Sequence, residues 1–242
     1  MHLIIVHLEV NSMFFDPLYL LFMAPALILS AIATGWVQSA FSKYSKVRSS
    51  TGLTGAQAAR EILDRNGLRD VDIEMVDGML SDHYDPSKRV LRLSSKVYSS
   101  PSLAAIGVAS HEAGHALQHQ ANYAPLMLRQ AIAPVASVGS SLSWILIMIG
   151  FFAQATGLIK LGILAFTIAV FFTLVTLPVE FNASRRAKAL VRDYGLVAPG
   201  ESGAVSRVLS AAAMTYVAAA ITAVLQLIYF LIRAGLLGGR DD

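Results

Sequence analysis

Four stretches without a charged residue, 17–42, 130–159, 161–179 and 208–232, constrain this chain more than any other feature. A spanning helix needs about 17–25 apolar residues, and only helices or closed barrels satisfy their own backbone polar groups where water is missing. Each run is at least that long. With 55% hydrophobic and 14% charged residues, against about 25% charged in an average soluble domain, the chain is predicted to be a polytopic, mainly α-helical membrane protein with about four transmembrane helices. The run 130–159 is too long for one simple span. Gln154-Ala155-Thr156-Gly157 offers a turn, so a hairpin is expected, with one helix ending near Ala153 and the next starting near Leu158.

Charge sets the expected orientation. Lys and Arg accumulate in cytoplasmic loops; segment 43–129 holds eleven and segment 180–207 five of the nineteen, whereas residues 1–16 hold none. Both basic segments are therefore expected in the cytoplasm and both termini outside. Five parts follow: 1–42 with the first span, 43–130 as a small cytoplasmic α+β segment, 131–179 as the transmembrane hairpin, 180–207 as a second cytoplasmic segment, and 208–242 as the last span and tail. The positive-inside bias, with contact to anionic lipid, accounts for the basic loops. No glycine-rich phosphate loop, nucleic-acid module or internal repeat occurs, so no nucleic-acid partner is expected. Cysteine is absent, so any bound metal must rely on His and carboxylate.

Residues 1–12 lack the basic start and small-residue cleavage site of a secretory signal. His2 and His7 fall on the opposite membrane face from the basic segments in this topology and are not expected to bind metal. Between the first two spans, Thr54 opens a helical run, GAQAAREILDRNG, with Ala58, Ile62 and Leu63 on one side and Gly67 as its stop. VDIEMVDGML and KRVLRLSSKVY then read as two short strands around an Asp82-His83-Tyr84-Asp85-Pro86 turn. A helix from Ser99 to Gln120 follows, with Ser100-Pro101-Ser102 at its start.

That helix carries His111-Glu112-Ala113-Gly114-His115, an HExxH pattern. Four positions apart on a helix, His111 and His115 project from one face and can reach the same zinc ion. Glu112 then lies beside the metal, placed as general base toward a water that the metal acidifies. The pattern implies hydrolysis. The bland alternative is a helix with two surface histidines or an inert metal site.

A catalytic zinc takes three protein ligands and keeps a fourth position open, so one more donor is needed. Glu180 is the best candidate, because it follows the run 161–179 directly, just past Pro178, where an unpaired carboxylate is expensive. The alternative for it is a pair with Arg185 or exposure to water. His119 shares the face of His115, but it is about 12 Å along the axis from His111, so it reads as a supporting polar group. His83 and Tyr84 are weaker candidates for stabilising an oxyanion. The stretch Arg89 to Leu93 is expected to offer a strand edge to an extended substrate.

MFFDPLYLL, DHYDPSKRVLRLS, ASHEAGHALQ and LPVEFNASRRA together resemble the neutral zinc metallopeptidase family of bacterial membrane proteins, the YugP type, over nearly all of the chain from Met13. The resemblance implies a membrane-bound zinc peptidase, a bacterial inner-membrane location, and the roles above for His111, Glu112 and His115. It also makes residues 1–12 an unusual extension or an upstream start. A more distant similarity is to the HtpX-type and CAAX-processing membrane proteases, in which a helix reading Glu-x-x-Ala-Asp lies downstream. Here Glu180-Phe181-Asn182-Ala183-Ser184 matches until Ser184 replaces the Asp, so support for a ligating histidine must come from Ser184, Asn182 or elsewhere.

The expectation is a zinc endopeptidase of the gluzincin kind, with one Zn2+ per chain held by His111, His115 and Glu180. Its substrates would be membrane or membrane-associated polypeptides, cut at the cytoplasmic face. The rival reading is a non-proteolytic, chaperone-like membrane scaffold that retains a metal site. An intramembrane zinc protease fits less well, since Lys88, Arg89, Arg92 and Lys96 precede the HEAGH helix and no Leu-Asp-Gly follows.

Overall fold

Asp16 and Pro17 open the first helix as cap and first-turn proline: the Asp16 carboxylate accepts the Leu18 N–H at 2.9 Å. The structure is a computed structural model that describes residues 16–78 and 81–237. In chain order its elements are α1 (Pro17–Tyr44), α2 (Gly55–Arg65), β1 (Asp72–Val76), β2 (His83–Asp85), β3 (Val90–Ser94), α3 (Ser95–Tyr98), α4 (Leu103–Gln120), α5 (Ala124–Phe152), α6 (Thr156–Asp193), a 3-10 turn at Pro199–Glu201, and α7 (Ser202–Arg233). The expectations for residues 1–12, including His2 and His7, lie outside the described residues. Among those described, four helices are long and apolar enough to cross a membrane, so the fold is mainly α with a small α+β portion.

The chain forms two units. One comprises the described residues up to Ile32, Ile132–Leu174 and those from Ala218 onward. Its interior is built on Ile147, Ile163, Phe166, Val170, Tyr229 and Phe230, with edge-to-face rings such as Phe166 and Phe230 at 5.5 Å. Small residues let the hairpin helices approach closely: a Cβ on Gly162 would stand 2.9 Å from the Ser143 carbonyl oxygen. The hairpin turns at Gln154, whose φ is 53°, close to the expected place. Tyr229 donates to the buried Asp16 at 3.0 Å. Leu20, Leu21, Ile28, Ile145, Ile149 and Leu164 are exposed, an arrangement that suits lipid rather than water.

The other unit comprises Ala33–Ala131 and Val175–Val217. Helix α2 starts at a capping box, with Thr54 accepting from the Gln57 N–H and the Gln57 side chain accepting in return, and Gly67 ends the run at φ +76°. Its stripe of Ala58, Ala59, Ile62 and Leu63 is buried with Leu103, Ile106, Ala109 and Ala113 of α4, giving the metal-binding candidate helix a fixed floor. Helix α4 begins four residues past the expected Ser99, since Ser102 caps it by accepting the Ala105 N–H at 3.2 Å.

The sheet differs from expectation. It has three strands in the order β1-β3-β2, with β1 parallel and β2 antiparallel to β3. The stretch read as a turn at 82–86 therefore contains a strand, and Ser95–Tyr98 is a helical turn rather than a strand end. β3 is central and buried at every position but Arg92, which reaches Glu74 on one neighbour at 3.1 Å and Asp85 on the other at 3.0 Å. Both its edges are paired, so Arg89 to Leu93 cannot offer one to a substrate. Pro178 removes one ladder bond, yet α6 runs on through it to Asp193.

Candidate metal centre

The HEAGH face of α4 meets α6 at its narrowest side chains. Gly114 lies against the backbone of Ala183, and that approach brings Glu180, three residues before Ala183, over the imidazoles. The Glu180 Oε2 is 3.1 Å from His111 Nε2 and 3.6 Å from His115 Nε2. The rings stand nearly perpendicular, with centroids 4.8 Å apart. One donor atom from each of the three residues lies within 4.8 Å of the others, and among the described residues no other His, Asp or Glu forms such a group.

These donors suit zinc. A tetrahedral ion with bonds of about 2.0–2.1 Å places its ligands roughly 3.3 Å apart, which the separations of 3.1 and 3.6 Å bracket. Two imidazoles and one carboxylate form a set that leaves a fourth position open, whereas calcium and magnesium prefer six or more oxygens.

The outer ring nitrogens fix which atom faces the centre. Gln118 is fully buried, and its amide nitrogen donates to the Val179 carbonyl at 2.8 Å and to Asn182 Oδ1 at 3.0 Å. Its oxygen is thereby left to accept from His115 Nδ1 at 2.9 Å, which in the neutral ring puts the proton on Nδ1 and the lone pair on Nε2. Asn182 is held in turn by Arg186 Nε at 2.8 Å. On the other ring, Ser184 Oγ lies 3.2 Å from His111 Nδ1. Glu180 and Ser184, one turn apart on α6, thus bracket His111 at its two nitrogens.

Charge completes the centre. Burial lowers the His115 pKa, but its hydrogen bond to the Glu180 carboxylate and the charges of Glu112 and Glu180 outweigh it and hold the imidazole above its ordinary value. Glu112 is buried. Glu180 pairs through Oε1 with Arg129 Nη1 at 3.2 Å, not with Arg185.

The remaining candidates lie elsewhere. His119 Nδ1 pairs with the Tyr84 hydroxyl at 2.9 Å, tying β2 to the end of α4. His83 is exposed, with Nδ1 2.7 Å from the Ser81 carbonyl and Nε2 3.4 Å from Arg92. Sequence reasoning missed Gln118 and Arg129. Gln118 carried a usable signal, as a polar residue three positions past His115 on a helix that is otherwise alanine-rich.

The family model described as "Putative neutral zinc metallopeptidase" matches residues 19–235. "Putative membrane protease YugP" of Bacillus subtilis (strain 168) is 51% identical over 225 residues, which cover 93% of this chain and 99% of that protein. No solved structure matches the chain. A match that takes in all four long helices and the residues around His111, His115 and Glu180 leaves the assignment to one group: the chain belongs to the neutral zinc metallopeptidase family.

Proposed function

We propose that the protein is a membrane-bound zinc endopeptidase of the gluzincin kind, with His111, His115 and Glu180 as ligands of one zinc ion and Glu112 as the catalytic acid–base. The observation that carries this reading is the convergence of Glu180 Oε2 on both imidazole Nε2 atoms at 3.1 and 3.6 Å. When bound, zinc would acidify a water and polarise the scissile carbonyl.

The chain's own residues supply the rest. Gln118 and Ser184 keep the two rings turned with Nε2 inward. Among the described residues no side chain hydrogen-bonds the Glu112 carboxylate, which leaves it able to accept the proton of the attacking water. Glu112 then passes that proton to the amide nitrogen as the C–N bond breaks, so the water's oxygen ends on the acyl carbon and the amine leaves neutral.

The basic residues of segments 43–129 and 180–207 support placing the site on the cytoplasmic face of a bacterial inner membrane. Glu180 follows the apolar run 161–179 directly, which supports a site near the lipid surface and membrane-associated polypeptides as substrates. The parts 1–42, 43–130, 131–179, 180–207 and 208–242 are proposed as anchor, protease segment, hairpin, third-ligand segment and last span.

The test compares purified wild type with Glu112→Gln and Glu180→Ala, and compares membrane proteomes with active and Glu112→Gln protein. Glu112→Gln is expected to keep its zinc and lose cleavage, while Glu180→Ala loses zinc. Equal cleavage by Glu112→Gln would overturn the mechanism, and full zinc in Glu180→Ala would overturn the ligand set.

A further inference from the structure

Helix α5 contains one charged residue, Arg129, at the threshold of an apolar stretch. A cation there is costly unless it is partnered. Its partner is the Glu180 carboxylate, whose side chain is 3% exposed while that of Arg129 is 31% exposed. The two oxygens of Glu180 are divided: Oε1 is 3.2 Å from Arg129 Nη1, and Oε2 is 3.1 Å from His111 Nε2 and 3.6 Å from His115 Nε2.

We infer that Arg129 is a positioning residue for the metal centre: by occupying Oε1 it restricts Glu180 to a single oxygen, Oε2, toward the ion. The inference rests on the reading of Glu180 as a ligand. Its chemical consequence is the coordination number. A carboxylate that binds through both oxygens, together with two imidazoles, supplies four donors, so that a bound water raises the ion to five-coordinate. A carboxylate held at one oxygen by a guanidinium supplies one donor fewer, so that the same water completes a four-coordinate ion. The guanidinium also shares the carboxylate's negative charge, so Oε2 donates less density to the ion and the ion stays a stronger Lewis acid. Sequence spacing cannot show this arrangement, because Arg129 and Glu180 are 51 positions apart.

Cobalt(II) tests it without relying on turnover, since four-coordinate cobalt absorbs visible light several-fold more strongly than five- or six-coordinate cobalt. The full chain in detergent or nanodiscs is loaded with Co2+ and compared with Arg129→Met, Arg129→Lys and Glu180→Gln. Arg129→Met is expected to bind one metal as wild type does but to lose about half or more of the absorption as a further ligand enters. Arg129→Lys is expected to recover most of it. A spectrum of Arg129→Met that superimposes on wild type overturns the inference. Loss of metal from folded Arg129→Met also overturns it, because a two-oxygen carboxylate would hold the ion at least as well. If Arg129→Met does not fold, Arg129→Gln decides by the same criteria. Glu180→Gln separates the two readings: an unchanged spectrum there removes Glu180 as a ligand, whereas a changed spectrum with an unaffected Arg129→Met removes only the role of Arg129.

Discussion

A Cβ built on Gly114 would stand 2.9 Å from the carbonyl oxygen of Ala183, so α4 and α6 touch backbone to backbone between the two histidines of HEAGH. The obstacle is main chain, which cannot rotate aside as a side chain would. The glycine inside the motif is thus what allows Glu180 to come within reach of the rings.

Gly114→Ala therefore sets two effects against each other. Alanine favours a helix interior over glycine by about 1 kcal/mol, while overpacking costs about 1–3 kcal/mol, and the clash with backbone puts the balance on the side of destabilisation. The expected result is a lower thermal midpoint and weaker zinc retention against a chelator. A variant more stable than wild type with full zinc content would show that the two helices can separate without harm to the centre.

Gln118→Leu keeps the volume of the side chain and removes its hydrogen bonds to His115, Val179 and Asn182. Losing a partner that orients a ligating histidine typically lowers metal affinity by about 10–100-fold, and that range is expected here in a competition titration. Ser184→Ala, at the longer 3.2 Å contact with His111, is expected to cost less. Unchanged affinity in Gln118→Leu would remove Gln118 from the support of the centre.

His115 gives the pH dependence its sign. Burial lowers its pKa, but Glu180 and Glu112 raise it further than burial depresses it, so in the metal-free protein the ring holds its proton to a higher pH than a free histidine does. Zinc needs the neutral ring. Zinc uptake near neutral pH should thus release protons, and affinity should weaken as pH falls. In the metal-free protein, the stability gained from protonated His115 is fully present below about 6.5, its unfolded value, and is lost as pH rises through the raised folded value. Calorimetry in buffers of different ionisation enthalpy measures the release; a binding heat independent of buffer would contradict it.

Topology is accessible because the native chain has no cysteine. Single cysteines at Gln154, Ser87 and Asp193, all exposed, separate the possibilities. An impermeant thiol reagent added to intact cells should modify position 154 and spare 87 and 193. Modification at 87 would place the protease segment outside.

The long helices could be read directly, because length without charge leaves a chain few alternatives. HEAGH could be read because both histidines lie on one helix, where spacing alone determines direction. Glu180 was conspicuous as a carboxylate at the end of an apolar run, and its nearness to the histidines follows from that cost. The sheet was less legible. β2 is three residues long, too short for a pattern, and the parallel pairing of β1 with β3 depends on contacts remote in sequence rather than on either strand. Arg129 escaped notice for a related reason: placed next to the run beginning at 130, it looked like the last charge of a basic segment, and only tertiary structure shows that its charge is directed at Glu180.

The separation between His111 and Glu180 is 69 residues, and all of α5 and the apolar run 161–179 of α6 are encoded between them. During synthesis, which adds about 5–20 residues per second, the HEAGH helix emerges seconds before Glu180. The three donors cannot meet until residue 180 has been made, and by then α5 and the apolar run 161–179 have been synthesised. The order of residues in the gene therefore acts as a timer, so that the three donors come together only after the first three apolar runs have been made.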